Sequence, residues 1–248
     1  MTFRTDGIVI REQTTGEQDR LITILTRELG MIKAFVNGGR NPKNKNVSAT
    51  DLLCYSDFTV EKTKKDVYII KEATAKQVFF GLREDITDLS LAQYFAELAR
   101  DLSPKEEKSD DFLSLILNSL HLLCNKKKSD LLLKAVTELR LACLSGFMPN
   151  VIGCSVCSEY ESETMFFNIY NGSMFCQDCN TDKKNIPLSP AVLTAIRHIC
   201  LSQPEKIYSF SLSEDKLLAL CDATEKYVKG ITLKQYKTLE FYKLMKNL

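Results

Sequence analysis

Short apolar runs separated by turn residues fill the first 80 residues of the chain. These runs occupy residues 7–10, 21–25, 31–36, 54–61 and 67–73. Apolar runs of this length, bounded by polar and glycine-containing turns, are typical of β-strands. Five short strands in about 80 residues match an OB-type barrel, a small barrel that commonly binds single strands or oligosaccharides. An SH3-like barrel would give nearly the same pattern, so strand count leaves both open.

Polar segments connect these strands. Residues 13–16 and the charged residues 62–66 predict tight turns, and residues 37–46 form a longer loop without any acidic residue. Its cations are Arg40, Lys43 and Lys45. The loop also contains Gly38 and Gly39, and glycine allows close backbone approach. It is either a solvated, flexible hairpin loop or a mobile cationic loop that contacts phosphates.

A helical period replaces the strand pattern near Asp85. Apolar residues recur there at spacings of three and four until Ser103-Pro104 stops the helix. Further helices are predicted over residues 109–124, 129–144, 190–202, 213–230 and 233–248. Ser109, Ser129 and Ser213 are the expected N-caps. We expect Gly230 to end the penultimate helix, and the last helix to pack through Tyr236, Leu239, Tyr242 and Leu244.

Two Cys-x-x-Cys pairs stand in the middle of the chain. Cys154 and Cys157 form the first pair, and Cys176 and Cys179 follow after eighteen residues. Each pair folds into a tight knuckle, and four thiolates complete the tetrahedral shell of a zinc ion. Such a closed shell leaves no position for substrate, so we expect one structural zinc per chain. The alternatives are a pair of disulfides or four ordinary core cysteines.

The segment between the pairs predicts a β-hairpin. Residues 164–170 alternate weakly, and Asn171-Gly172 is a typical hairpin turn. The expected apolar cluster consists of Met165, Phe167, Ile169 and Phe175. Because so small a cluster cannot fold alone, the metal would contribute on the order of 10 kcal/mol.

Composition excludes several classes of protein. The 248 residues are 44% hydrophobic, which is enough for one large domain or two ordinary ones. The most apolar segment, residues 112–124, is interrupted by Asn118 and His121, which favours a buried helix over a membrane span. The N-terminus lacks the pattern of a secretion signal. Five cysteines outside the two pairs lie mostly among apolar neighbours, which indicates a reduced, cytoplasmic protein.

The charges are unevenly distributed, although 33 basic and 32 acidic residues nearly cancel. Residues 31–50 hold four cations and no acid, and residues 224–248 hold six lysines and two glutamates. No phosphate-binding glycine loop, HExxH, GxSxG or dinucleotide motif occurs. With only two histidines for acid-base work, we expect a protein without enzymatic activity.

Several motifs, taken together and in order, resemble one known family. They are residues 16–30, the Gly-Gly-Arg-Asn-Pro-Lys of residues 38–43, residues 138–149, the two cysteine pairs and the Pro-Leu-Ser-Pro of residues 187–190. Over nearly the whole chain this pattern resembles the bacterial recombination mediator family RecO. The resemblance implies an α+β protein with an N-terminal OB fold at residues 1–82, a helical domain at 83–150 and 187–248, and a zinc-binding insertion at 151–186.

The resemblance also implies a function. Members bind single- and double-stranded DNA, anneal complementary single strands, and load the recombinase RecA onto DNA covered by single-stranded-DNA-binding protein, together with RecR. The acidic tail of the single-stranded-DNA-binding protein is an expected partner, and the expected location is the cytoplasm, in association with the nucleoid. No membrane partner is expected.

DNA-binding residues follow from the same resemblance. The family's basic loop falls on Arg40, Lys43 and Lys45, with Arg20 and Lys33 on the flanking strands. The family often has more consecutive cations there, whereas Asn37, Asn41, Asn44 and Asn46 take several of the places in this chain. Lys234 and Lys237 in the basic C-terminal segment are a second candidate set. Two other functions stay open: a zinc-stabilised RNA-binding protein of translation or ribosome assembly, and a metal-dependent enzyme acting on nucleic acid.

Overall fold

The computed structural model describes residues 1–64 and 67–247. The chain forms two compact units, Met1–Asn125 with Lys237–Leu248, and Lys126–Tyr236. The first unit therefore includes helices as well as the barrel, and the domain limits implied by the resemblance stay a prediction. Of the predicted turn at residues 62–66, Lys65 and Asp66 lie outside the described residues.

Five strands form a closed barrel in the first unit. They are β1 (Thr2–Thr15), β2 (Asp19–Thr26), β3 (Met31–Val36), β4 (Cys54–Lys62) and β5 (Tyr68–Val78). The barrel closes in the order β1-β2-β3-β5-β4. The pairing of β3 with β5 is parallel, and the other pairs are antiparallel. This closed five-stranded barrel confirms the OB-type fold.

The first hairpin is longer than the sequence pattern predicts. The turn expected at residues 13–16 is wrong, because β1 continues to Thr15, which pairs with Asp19. The chain reverses only after Gly16, whose φ of 63° lies in the left-handed region. The threonines before it suit a strand, whereas glycine adopts that φ without a steric cost.

Alternate residues of the strands fill the barrel. The interior side chains are Val9, Ile22, Ile24, Ile32, Ala34, Val36, Phe58, Val60, Tyr68 and Ile70. Side chains of successive residues point to opposite faces of a strand. The outward-facing residues include buried apolar ones, such as Ile8 and Leu25, and exposed charged ones, such as Lys33. Part of the outer face is therefore covered by other elements, and the rest carries polar and charged groups.

The helices follow the barrel along the chain. They are α1 (Ile86–Leu102), α2 (Asp110–Cys124), α3 (Asp130–Leu144), α4 (Pro190–Leu201), α5 (Glu214–Thr232) and α6 (Lys237–Lys246). The Asp85 carboxylate caps α1 by accepting a hydrogen bond from the Thr87 amide. Ser109, Ser129 and Ser213 stand at N-cap positions, but their side chains make no capping hydrogen bond. The predicted N-cap positions of these three serines are therefore confirmed, but the side-chain hydrogen bonds expected of a cap are not formed.

Ser109 instead attaches α2 to the barrel. Its hydroxyl donates to the Thr26 carbonyl at the end of β2, 2.5 Å away. Close beside it, Gly30 has no room for a side chain, since a Cβ there would lie 2.7 Å from the carbonyl oxygens of Pro104 and Glu107. The connection between α1 and α2 thus packs directly against the backbone of the β2–β3 turn.

The ends of α5 and α6 differ from the prediction. Gly230 lies inside α5, which ends at Thr232 and is followed by the C-cap Leu233 in the left-handed conformation. A Cβ at Gly230 would lie 3.1 Å from the Ile169 carbonyl oxygen, so this glycine serves close packing and not helix termination. In α6, Leu239 and Tyr242 are buried as expected, whereas Leu244 is exposed because it lies on the solvent side of the helix.

A buried ion cluster joins α3 and α5 in the second unit. Lys134 Nζ lies 2.9 Å from Glu138 Oε1 and 3.1 Å from Glu225 Oε2. Thr224 Oγ1 donates a hydrogen bond to Glu138. Burial alone would lower the pKa of Lys134, but the nearby carboxylates outweigh it and raise that pKa above its ordinary value. The lysine therefore stays charged in the interior.

No helix in residues 1–64 or 67–247 is both long and apolar enough to cross a membrane.

Removal of the central cation tests the ion cluster. Lys134→Met removes the ammonium group that pairs with both the Glu138 and the Glu225 carboxylates, so we expect the free energy of unfolding to fall by about 3–5 kcal/mol. Urea denaturation followed by circular dichroism measures this loss. Lys226→Met is the matched control, because the Lys226–Asp222 pair on α5 is exposed and should contribute less than about 1 kcal/mol. Equal losses in the two variants would contradict the assignment.

Candidate metal centre and nucleic-acid interface

Three short strands carry the metal module of the second unit. They are β6 (Met165–Phe167), β7 (Met174–Cys176) and β8 (Ile186–Leu188), in the order β7-β6-β8. The predicted hairpin corresponds to β6 and β7, and the third strand was not predicted. With only three residues and a proline in its centre, β8 carries no readable strand pattern.

The four paired cysteines converge at one end of this sheet. Their sulfur atoms all lie within 4.8 Å of one another, and those of Cys157 and Cys176 are 3.6 Å apart. A tetrahedral ion with metal–sulfur bonds of about 2.3 Å would hold its sulfurs roughly 3.8 Å apart. The donor set and its spacing therefore fit a four-coordinate metal ion.

Backbone hydrogen bonds form the two knuckles. The Ser158 amide donates to the Cys154 carbonyl at 2.8 Å, and the Asn180 amide donates to the Cys176 carbonyl at 3.0 Å. The Ser155 amide donates to the Met174 carbonyl at 2.8 Å, which joins the first knuckle to β7. The metal-binding geometry is thus set by the backbone as well as by the side chains.

The sulfur atoms differ in how readily they ionise. Burial raises the pKa of Cys154, but backbone hydrogen bonds from Cys157, Cys176 and Val156 outweigh it and bring the pKa to about 6. Burial raises the pKa of Cys176, and hydrogen bonds with Cys176 and Cys157 raise that of Cys179. Without a cation the cluster favours one thiolate over four, and a divalent ion supplies the charge that ionises the others.

The apolar cluster under the module has different members from the predicted set. Met165 and Phe167 are buried as expected, and Met174 is fully buried with them. Ile169 and Phe175 are only half-buried, so their predicted core role is wrong. Met174 pairs with Phe167 across the hairpin, and this pairing brings the Met174 side chain to the inner face of the sheet.

Helices α4 and α5 hold the module in the second unit. Arg197 of α4 donates to the carbonyls of Val151, Ile152 and Tyr160, and its guanidinium lies 3.8 Å from the Tyr160 ring centroid. The Tyr227 ring of α5 packs on Phe167 with a centroid distance of 5.2 Å. These contacts fix both the chain that enters the first knuckle and the hairpin that leads to the second.

On the barrel, Arg20 is held by protein groups. Its guanidinium donates to Asp51, Thr50 and the Val47 carbonyl at 2.7–3.0 Å, and to Glu12 at 3.3 Å. Only 11% of this side chain is exposed. Arg20 therefore ties the segment after β3 to β2, a role that the sequence did not indicate.

The asparagines of residues 37–46 organise the loop. Asn41 Oδ1 accepts from the Lys43 amide, and Asn44 Nδ2 donates to the Asn37 carbonyl at 2.7 Å. Asn46 Oδ1 accepts from the Ala73 amide of β5 at 3.0 Å. Asparagine commonly makes such turns, so the residues that replace cations in this chain fix the backbone. The loop is therefore an ordered structure held by hydrogen bonds, and not a flexible hairpin loop surrounded by solvent.

The loop cations lie outside this framework. Arg40, Lys43 and Lys45 are exposed. Arg40 Nη1 donates to the Glu17 carbonyl at 3.0 Å, and Lys45 Nζ lies 3.4 Å from Glu72 on β5. Both contacts, one with a carbonyl and one with a carboxylate, are solvent-exposed, so exchanging either for a contact with a phosphate costs little free energy. The three cations thus share one loop and are all exposed to solvent.

Lys33 lies in a separate groove of about 470 Å³ between the barrel and α1. The charged residues that line this groove are Arg11, Lys33, Arg100, Asp101, Lys105 and Glu106. Sequence reasoning identified only Lys33 among these cations. Arg11 could have been found from its outward position on β1, whereas Arg100 and Lys105 reach the groove only through the fold. Four cations and two acids leave the groove positive.

The C-terminal candidates lie at the junction between α5 and α6. Lys234 follows Leu233, and Lys237 is the first residue of α6. Both side chains are exposed. They belong to different compact units.

Loss of one ligand tests the metal centre. Cys176→Ser removes a buried sulfur donor from the cluster, so we expect the bound ion to be lost and the module to unfold, because metal binding and folding of such modules are coupled. Elemental analysis of the purified chain measures one ion for the wild type and none for the variant. Cys124→Ser is the control, since Cys124 lies outside the cluster. Wild-type protein without metal would contradict the assignment.

Comparisons with known proteins agree with this architecture. A family model described as Recombination protein O N terminal matches residues 1–79, and one described as Recombination protein O C terminal matches residues 83–240. The DNA repair protein RecO of Acetivibrio thermocellus is 33% identical over 244 residues, covering 98% of this chain and 97% of that protein.

More distant relatives carry the same name. The DNA repair protein RecO of Dehalococcoides mccartyi is 28% identical over 96% of this chain and 93% of its own length. That of Caldicellulosiruptor saccharolyticus is 26% identical over 98% of this chain and 99% of its own length. Between them the two family models cover the barrel and the metal module, and each of these relatives covers both. The chain therefore belongs to the RecO family of DNA repair proteins.

Proposed function

We propose that this protein is a non-enzymatic recombination mediator. It binds single- and double-stranded DNA, anneals complementary single strands, and helps to load RecA onto DNA coated by single-stranded-DNA-binding protein. RecR and the acidic tail of the single-stranded-DNA-binding protein are its proposed partners, and a role on the chromosome implies a cytoplasmic, nucleoid-associated location. Membership of the family supports the role in repair, and the cationic loop of the barrel supports the way in which DNA is bound.

The arrangement of the loop is the observation that carries this proposal. Arg40, Lys43 and Lys45 are exposed on a loop whose backbone is fixed by its asparagines and by Arg20. A fixed loop loses little conformational entropy when a polyanion binds. Each cation that neutralises a phosphate releases condensed counterions, which favours binding. Arg20 enters the proposal as the residue that holds the loop in place.

The groove around Lys33 is a further cationic surface of the barrel unit. Arg11, Arg100 and Lys105 line the same groove, and we propose that they contact the phosphates of a strand that crosses the barrel. The aromatic ring of Phe58 is buried in the barrel, so it is not available for base stacking. Phosphate contacts carry no sequence information, which suits a protein that must anneal any pair of complementary strands.

Lys234 and Lys237 form a second proposed contact with DNA. Annealing requires that two like-charged strands approach each other, and cations on the protein offset their repulsion. A second cationic segment would allow one molecule to hold a second strand. This role depends on charge and not on any reading of bases.

The metal in this proposal is zinc with a structural role. Four thiolates at tetrahedral spacing form a closed shell, and such shells leave no open position for a reacting group. The zinc holds the two knuckles together, while Arg197 and Tyr227 attach the module to its helices. No step of annealing requires that a bond be made or broken.

Removal of the loop cations tests the proposed contact with DNA. Substitution of Arg40, Lys43 and Lys45 by alanine should make the plot of log K against log salt less steep. For single strands, the magnitude of its negative slope should fall by about two units. The melting temperature should not change, because the three side chains are exposed. Fluorescence titrations of a labelled single strand at several salt concentrations measure the slope.

A charge-matched variant controls for net charge. Lys183, Lys184 and Lys206 are exposed residues of the second unit, and their replacement by alanine removes the same charge. This control should keep the wild-type slope. An unchanged slope in the loop variant, or equal changes in both variants, would refute the assignment of the loop.

Annealing on coated DNA tests the proposed activity itself. The wild type should speed the pairing of complementary strands precoated with single-stranded-DNA-binding protein, and the loop variant should be slower, because it offsets less phosphate repulsion. Gel assays of duplex formation measure this, and a divalent ion added to the same mixture should produce no cleavage. Cleavage of the DNA would favour a metal-dependent enzyme acting on nucleic acid. Tighter binding to structured RNA than to DNA strands would favour an RNA-binding protein of translation or ribosome assembly.

A further inference from the structure

Two cysteines outside the metal cluster lie in contact in the second unit. Cys143 stands near the C-terminus of α3, and Cys200 stands near the C-terminus of α4. Their sulfur atoms are 3.7 Å apart, and both are free thiols. Sulfurs at van der Waals contact need only a small side-chain rotation to reach the bonding distance of about 2.05 Å. The two thiols are therefore positioned for a disulfide.

Arg140 fixes the two helices at this point. Its Nη1 donates to the carbonyls of Ile199 and Cys200 at 3.2 and 2.9 Å. Arg140 lies one helical turn before Cys143, so its guanidinium places a positive charge beside the sulfur pair. A cation near a thiol favours the thiolate, which is the nucleophilic form.

The environments of the two sulfurs differ. Cys143 is half-buried and Cys200 is buried. The hydrogen bond with Cys200 lowers the pKa of Cys143, and the charge of Arg140 acts in the same direction against the effect of burial. The hydrogen bond with Cys143 and burial raise the pKa of Cys200. The sulfur of the half-buried Cys143 ionises more readily, and that of Cys200 stays protonated beside it.

The remaining cysteines outside the cluster have other contacts. Cys54 Sγ lies 3.3 Å from the Ser56 hydroxyl, and Cys221 Sγ lies 3.1 Å from the Leu131 carbonyl oxygen. Cys124 is half-buried and lies against Gly81. Among the cysteines of the described ranges, Cys143 and Cys200 form the one pair in contact outside the metal cluster.

We propose that Cys143 and Cys200 are a thiol-oxidation site that forms a reversible disulfide when the protein meets a hydroperoxide. The Cys143 thiolate attacks the outer peroxide oxygen, the O–O bond breaks, and an alcohol or water leaves, which converts Cys143 to a sulfenic acid. Cys200 then attacks that sulfur, the S–S bond forms, and the sulfenic oxygen leaves as water with the remaining proton. The two sulfurs lose two electrons in total, and the peroxide gains them.

The disulfide would change the connection of the metal module. It closes a ring of residues 143–200, which contains all four cysteines of the cluster. The ends of α3 and α4 would then be joined covalently, whatever the state of the metal. In a reducing cytoplasm such a bond is transient, as is typical of redox-sensing pairs.

A peptide map of the oxidised wild type tests the proposal. The full chain with its bound metal is treated with hydrogen peroxide, denatured in an alkylating reagent, and digested without reduction. Trypsin leaves Cys143 in one peptide with the four cluster cysteines, residues 141–183, so a cut after Phe147 by chymotrypsin is needed to separate them. We expect a disulfide-linked pair of peptides, one containing Cys143 and the other Cys200. Its mass should be two hydrogen atoms less than the sum of the two reduced peptides, and the pair should disappear on reduction. Oxidation confined to the cluster cysteines, or a link from Cys200 to one of them, would overturn the proposal.

Three variants assign the order of reaction. Cys200→Ser should accumulate a sulfenic acid at Cys143 that a 1,3-diketone traps, and Cys143→Ser should leave Cys200 unreacted. Cys124→Ser is the matched control, because Cys124 has similar exposure without a sulfur in contact, and it should form the linked pair as the wild type does. Rapid oxidation of Cys200 in Cys143→Ser would contradict the assigned order. The map of the wild type decides the main point even if a variant fails to fold.

Discussion

The convergence of four thiols is the constraint on which the second unit depends. The module consists of three short strands and a small apolar cluster around Met165, Phe167 and Met174, which is too little buried surface to fold by itself. Four sulfurs within 4.8 Å cannot all ionise without a cation between them. A metal ion bound by the four sulfurs would supply both the charge balance and the cross-link, whereas α4 and α5 attach the module through Arg197 and Tyr227.

A cross-link between distant segments also fixes the loop of residues 37–46 on the barrel. There the cross-link is polar: Arg20 joins β2 to the segment after β3, and asparagine side chains close the turns between them. One buried guanidinium and several amides hold a backbone that presents Arg40, Lys43 and Lys45 to solvent. The cations that we propose for DNA binding are thus separate from the groups that maintain the fold, and charge can change at the surface without loss of structure.

The sequence predicted what depends on local pattern and on close spacing. Five strands, the helices and the four-cysteine cluster all have signals within a few residues, and the structure contains each of them. Features that depend on tertiary contacts were missed. Glycine is common at helix ends, but Gly230 serves close packing against Ile169. Arginine is common in contacts with DNA, but Arg20 is held by Asp51 and Thr50. Arg100 and Lys105 join Lys33 only because α1 lies beside the barrel.

The central proposal is that the loop carrying Arg40, Lys43 and Lys45 on a small barrel binds DNA strands through their phosphates. The most direct test is the binding of the wild-type protein to naked single strands of different sequence over a range of salt concentrations. The account predicts tight binding at low salt, little dependence on sequence, and a steep linear fall of log K with log salt. No binding at low salt, or binding that depends on sequence and not on salt, would contradict it.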